Sequence, residues 1–311
     1  MMPPLTTPVK VPPLPLRLDF DSVIVSLGSC FADEMAYRLL ASGFRMEQNP
    51  FGTLYNPASI ALAVERIIDC HEITENDLVQ HEGLWHSWYH HGSFSRPTVA
   101  ETLEACNRRL HQAHEAFRSA CLLTITFGTA WVFEKTDSDQ WAGACGQKPS
   151  LHNGTPITGN RIVANCHKLP ASMFKRRMMT IEEIVALWQP LLNKIANFNS
   201  RLSILFTVSP IRHLADGAHG NQLSKATLLL ATDMLCSACD NTATHYFPAY
   251  EIVLDELRDY RFFGPDMTHL TALAADIVYD RFQQATMTPA VIQQAHNNAK
   301  AARRQQHIPL H

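Results

Sequence analysis

The chain has 311 residues, 46% of them hydrophobic, with a formal net charge of -3 and a pI near 6.6. That size and apolar content suit one large α/β domain or two small ones, and the near-neutral charge offers nucleic acid no basic footprint. No apolar run reaches the length of a membrane span, and the opening stretch, Met1 to Pro15, has neither the basic nor the apolar region of a secretory leader.

Residues 1–17 read as an extended proline-rich arm. Val23 to Leu27 is a β-branched and aliphatic run, a buried strand that Gly28 ends by tolerating a sharp turn. Phe31, Met35, Leu39 and Leu40 then recur at helical spacing. Ser29 therefore stands at the carboxyl end of a first strand and the mouth of a helix. Open α/β sheets bind ligands there, and a helix N-terminus offers free N–H groups. Phe44 to Gln48 reads as a second strand, ended by the turn Asn49-Pro50-Phe51-Gly52-Thr53. A helix follows from Pro57 to Asp69. Polar, His-rich residues 70–97 form a first insertion, holding Trp85, His86, Trp88, His90 and His91.

A long helix over 99–119 leads to a third strand over 121–127, ending at Gly128-Thr129-Ala130-Trp131. Residues 134–179 read as a second insertion, loop-like to 159 and ordered from Ile162 to Lys168, with Asn165 in that segment. Thr180-Ile181-Glu182-Glu183 has the capping-box pattern and opens a helix towards Asn199. A fourth strand over 201–208 ends at Ser209-Pro210-Ile211-Arg212-His213. A helix over 221–240, a fifth strand over 245–247 and a last core helix over 270–284 follow, then a polar tail over 286–311, helical in part. Alternating strands and helices imply a mainly parallel sheet covered on both faces, in one three-layer domain over 18–285.

Acyl transfer at serine needs a nucleophile, a base, an orienter for the base and oxyanion donors. Ser29 is the candidate nucleophile, with the N–H groups of its helix as donors. The competing reading is a helix cap, although Ala32 stands where a capping box has Glu or Gln. Asp266 and His269, three apart, supply orienter and base if they share one helical turn. Alternatively Asp266 caps the last helix and His269 is a surface residue. Trp85, His90, His91 and His213 are candidates for contacting substrate. His86 and His90 have helical i, i+4 spacing, but neither a His-Glu-x-x-His frame nor cysteines at finger spacing accompany them, and no metal is expected. Cys236-x-x-Cys239 lies in a helical pattern without a second pair and reads as core. Gly28-Ser29 lacks a P-loop lysine and a dinucleotide glycine pattern, so no cofactor is expected. The eight cysteines form no framework of close pairs; with no leader this points to free thiols and the cytoplasm.

The blocks Gly28-Ser29-Cys30-Phe31-Ala32, Asn49 to Pro57, Phe127 to Trp131, Asn165-Cys166-His167-Lys168, Ser209 to His213 and Asp259 to Phe263 resemble, in order, those of the GSCFA family. The resemblance implies a flavodoxin-like sheet of the SGNH (GDSL-like) hydrolase kind. It assigns Ser29 as nucleophile, Asp266 and His269 as the remaining triad, and Ser29 and Gly52 as oxyanion donors. Cys30 is a rival nucleophile, because thiolates at helix N-termini are activated; its place in the motif ranks it behind Ser29. The wider superfamily has an Asn after the third strand, absent here, which leaves Asn165, ahead of Thr129, as third donor. The implied activity is that of a serine esterase or O-acyltransferase acting on an acylated carbohydrate or similar small ester. The alternative is a non-catalytic carbohydrate- or ligand-binding module on the same fold.

Overall fold

The computed structural model describes residues 6–136, 161–237 and 243–306. Residues 137–160 of the second expected insertion, Cys239 with the end of the helix expected to reach 240, and both chain ends lie outside the described residues. In chain order, β1 (Val23–Gly28) leads into α1 (Cys30–Ala41), β2 (Arg45–Gln48) and α2 (Pro57–Asp69). The hairpin of β3 (Leu78–His81) and β4 (Leu84–Ser87) precedes α3 (Val99–Ser119) and β5 (Leu122–Phe127). β6 (Trp131–Lys135), β7 (Ile162–Val163) and β8 (Phe174–Met178) make a small antiparallel sheet. α4 (Ile181–Phe198), β9 (Ser203–Val208), α5 (Gly217–Ser237) and β10 (Thr244–Tyr246) follow, then the single turn α6 (Ala249–Glu251), α7 (Ala272–Thr286) and α8 (Pro289–Gln306).

The central sheet has five strands in the order β10-β9-β5-β1-β2, all parallel. Numbered by appearance within the sheet this is 2-1-3-4-5 read from the β2 edge, the flavodoxin-like order, with its switch point between β1 and β5. The three inner strands β1, β5 and β9 read as mainly apolar runs because both their faces are covered, whereas the edge strands β2 and β10 carry polar residues. Val25 and Leu27 of β1, with Phe127 and Phe206, pack under α2, α3, α4 and α5. Ile24, Leu122 and Leu205 point the other way, onto Phe31 and Leu39 of α1 and Val278 and Phe282 of α7. Trp188 of α4, fully buried, donates its indole N–H to the Pro57 carbonyl at 3.1 Å and so pins α4 to the start of α2.

The stretch before β1 is held down. Leu14 and Leu18 donate backbone N–H groups to Ala285 and Thr286, and both side chains are buried. Two local expectations change. His86 ends up on β4 and His90 in the turn after it, so their i, i+4 spacing is not helical. The last core helix starts at Ala272, and Thr271 is its N-cap, accepting from the Ala274 N–H. Asp266 and His269 therefore lie in the loop before α7, and Asp266 is not a helix cap. Among the described residues no helix is long and apolar enough to cross a membrane.

Candidate active site

The carboxyl ends of β1 and β5 meet where the sheet order reverses, and the residues there leave little freedom. Gly28 has φ +151°, and a Cβ on it would lie 2.4 Å from the Thr126 carbonyl oxygen. Its N–H donates to Asn49 Oδ1 at 2.8 Å. The Asn49 amide in turn donates to Asp33 at 2.7 Å, and the Thr53 hydroxyl reaches the other Asp33 oxygen at 3.1 Å. One carboxylate in the first turn of α1 thus fastens the 49–53 loop to the β1–α1 junction. Gly52 has φ +75°, and a Cβ on it would lie 2.4 Å from His91 Cβ.

Lys225 of α5 closes the far side of the strand ends. Its ammonium is fully buried and donates to the carbonyls of Gly128 at 2.6 Å and Ser209 at 2.7 Å, tying β5 to β9. Burial pulls its pKa down to about 7. A neutral amine still has two N–H donors for these two acceptors.

Ser29 occupies the N-cap of α1, but its hydroxyl makes no capping bond. The residue is 1% exposed, Oγ has no hydrogen-bond partner among the described residues, and its backbone N–H is spent on Thr126 O at 3.3 Å. The expected Ser29–His269 hydrogen bond is not formed. His269 instead directs Nε2 at the next residue, 4.0 Å from Cys30 Sγ. Its Nδ1 lies 2.5 Å from Asp266 Oδ2, a contact that in the neutral ring places the proton on Nδ1 and leaves Nε2 bare. Asp266 also accepts the N–H groups of Thr268 and His269, both at 3.0 Å. The Thr268 N–H, then the His269 ring, hold this carboxyl far below the usual range. The pair is open to solvent, His269 being 59% and Asp266 50% exposed.

The other candidates separate into those near this point and those committed elsewhere. Gly52 spends its N–H on Asn49 O at 2.7 Å, so the donor expected there is occupied. The Thr129 hydroxyl is shared between Ser224 Oγ at 3.1 Å and the Trp131 N–H at 3.2 Å, a strand-end brace. Asn165 accepts the His167 N–H at 2.8 Å, and its amide nitrogen stands beside Gly92. His91 seats its backbone N–H on Phe51 O at 2.9 Å and so borders the Gly52 loop. His213 packs edge-on to Tyr55 at 5.5 Å; burial, then Lys225, push its pKa down to about 4. His90 is buried, stacked on Phe51 at 4.3 Å and bonded through Nδ1 to Ser87 Oγ at 2.9 Å; burial takes its pKa down to about 3. Trp85 packs against Ile73, Leu78 and Cys106, between the hairpin and α3. His90 is thus enclosed in the 70–97 segment and does not reach a substrate, against the expectation, while Trp85 is partly buried against that segment's core. A separate cavity of about 200 Å³ is bordered by Arg212, Leu254, Leu257, Arg258, Tyr260 and Phe263, with Arg212 4.9 Å over the Phe263 ring; Ser29, Cys30, His213 and His269 do not line it.

Asp33, Asn49 and Lys225 are the residues that sequence reading passed over. Asp33 and Lys225 look like ordinary polar positions on helices, and Asn49 like an ordinary turn residue. Asn49, just after a strand and before Pro50, carried the one available signal.

A doubly wound α/β protein with its chemistry-bearing residues at the switch point is the class that fold and site define. Residues 23–282 match the model of the GSCFA family, and the chain belongs to that family. No curated protein matches it. Among solved structures it is similar to a protein described as a GDSL-like lipase from Parabacteroides merdae: 13% identity, 88% of this chain and 99% of that one, TM-score 0.41. It is also similar to the acetyl xylan esterase Est2A from the rumen bacterium Butyrivibrio proteoclasticus: 9% identity, 89% of this chain and 66% of that one, TM-score 0.34.

Proposed function

We propose that the protein is an acyl-transfer enzyme, a carboxylic-ester hydrolase or O-acyltransferase, acting on an acylated carbohydrate or similar small ester. The observation that carries this reading is the Asp266–His269 pair, with the bare Nε2 of the ring turned to the first residue of α1 at the switch point. A carboxylate that fixes a histidine tautomer next to a nucleophile is the arrangement that acyl transfer uses. His269 takes the proton of the nucleophile at the start of α1 as it attacks the acyl carbonyl, then gives it to the departing alcohol. Asp266 holds the ring and stabilises the imidazolium. The first N–H groups of α1, at Cys30 and Phe31, lack intrahelical partners and are the donors nearest the developing oxyanion. Asn165 is the candidate third donor, since its amide nitrogen is uncommitted among the described residues while the Thr129 hydroxyl is braced.

Incubation with p-nitrophenyl acetate and with an acetylated oligosaccharide tests this. Release of nitrophenolate and acetate is expected, and loss of both in a folded His269→Ala variant. Saccharide binding without acetate release would favour the ligand-binding module instead.

A further inference from the structure

Resting on the acyl-transfer reading, we propose that the nucleophile is the thiol of Cys30, with Ser29 outside the chemistry, and that the covalent intermediate is a thioester. Ser29 and Cys30 are neighbours, but the strand-to-helix junction turns their side chains to different surroundings. Ser29 has extended backbone (φ -72°, ψ 176°) and Cys30 is the first helical residue. The Ser29 hydroxyl is covered and unpartnered, and a Cβ on Gly128 would lie 3.1 Å from Ser29 Cβ. Both its side chain and its N–H belong to the packed end of β1. Cys30 is half-buried, its sulfur 4.0 Å from His269 Nε2, and that ring is the one tied to a carboxylate here.

The electrostatics fit a thiol that ionises during attack. Burial, then Asp33, raise the Cys30 pKa, so the resting group keeps its proton. The N–H groups of Cys30 and Phe31, then Lys225, favour the thiolate as it forms. In the first step the C–S bond forms as the ester C–O bond breaks. The thiol proton passes to His269 Nε2 and on to the departing alkoxide. In the second step water, or the hydroxyl of an acceptor, gives its proton to His269 and attacks the thioester. The C–S bond breaks, and the leaving thiolate regains that proton. No oxidant or metal enters the balance.

The test is a time course with p-nitrophenyl acetate, quenched in acid, with the acetyl group located by peptide mass mapping and then challenged with neutral hydroxylamine. That reagent cleaves thioesters and spares ordinary oxygen esters. The chains compared are wild type, Ser29→Ala, Cys30→Ala, Cys30→Ser and His269→Ala. The expected result is a hydroxylamine-labile acetyl group on Cys30, kept in Ser29→Ala and slowed by about a thousandfold or more in His269→Ala. In Cys30→Ser, which keeps the shape of the junction, a hydroxylamine-resistant adduct at position 30 is expected. A resistant adduct on Ser29 that survives in Cys30→Ala would overturn the Cys30 assignment and leave the acyl-transfer reading standing. Absence of any His269-dependent adduct at either residue would overturn both.

Discussion

Among the described residues, two clusters bring together a cysteine, a histidine and a carboxylate, and they differ in where the fold puts them. At the start of α1, Cys30 faces His269, which is bonded to Asp266. At the far end of α2, Cys70 Sγ lies 3.2 Å from His111 Nδ1, and His111 Nε2 lies 2.8 Å from Glu72. By contact distance the second is the tighter arrangement. Its field is the wrong one. Cys70 is the C-cap of α2, in left-handed conformation, where unpaired carbonyls and the negative end of the helix dipole gather. Burial, then Glu72 and Glu115, all raise its thiol pKa, and nothing there lowers it. Cys30 has the opposite end of a helix, two N–H groups and a buried lysine favouring its thiolate. The constellation of residue types is therefore not the site; the strand-end position and the helix polarity select one of the two.

The largest effect expected from this comparison is kinetic. Asp266→Asn should lower ester turnover by up to about four orders of magnitude, because an amide cannot fix the same tautomer. Its oxygen still accepts the N–H groups of Thr268 and His269, so the melting temperature should hold. Glu72→Gln, the same change in the other cluster, should leave turnover within about twofold, since no step depends on it. Equal losses in both variants would erase the distinction.

A second effect lies in the buried histidines and is on stability rather than turnover. His90, His167 and His213 have pKa values pushed down to about 3, about 4 and about 4, mainly by burial. Unfolded, each titrates near ~6.5. Between those values the unfolded chain binds more protons, so stability is lost as pH falls from about 6.5 towards 4, by up to ~1.4 kcal/mol per pH unit for each histidine. Thermal unfolding followed by circular dichroism across this range should show that slope, and His90→Phe, which keeps the stack on Phe51, should reduce it.

The smallest effect concerns Lys225 and runs the other way. Its pKa falls from 10.5 to about 7 on folding, so stability should rise from pH 7 towards 10.5 as the unfolded lysine loses the proton that burial penalises. Lys225→Met should abolish that rise and cost about 1–3 kcal/mol for each carbonyl left without a donor, at Gly128 and Ser209. An unchanged alkaline profile in the variant would detach Lys225 from the effect.

The central sheet was legible because three aliphatic runs, at β1, β5 and β9, are each followed by a helix, which leaves few arrangements for a parallel sheet; the edge strands β2 and β10, polar in sequence, were placed by that alternation. Asp266 and His269 were legible as a pair by spacing, although their turn is built by the Asp266 side chain and not by α7. The choice between Ser29 and Cys30 was not legible, since a strand-to-helix junction sends consecutive side chains to different places and composition carries no trace of it. Thr129 and Gly52 read as donors for the same reason: what occupies a hydroxyl or an N–H is settled by residues such as Ser224 and Asn49, from other parts of the chain. Lys225 was hidden because a lysine on a helix reads as its solvent face, while the ends of β5 and β9 bury this one completely.

The claim that one histidine serves the start of α1 is tested most directly by the rate at which the peptide containing residues 29 and 30 becomes acetylated. That rate would be followed by mass spectrometry in wild type, His269→Ala and His111→Ala, each shown to be folded. A fall of about three orders of magnitude or more in His269→Ala, with His111→Ala at the wild-type rate, is the predicted result. Equal rates in all three chains would contradict it.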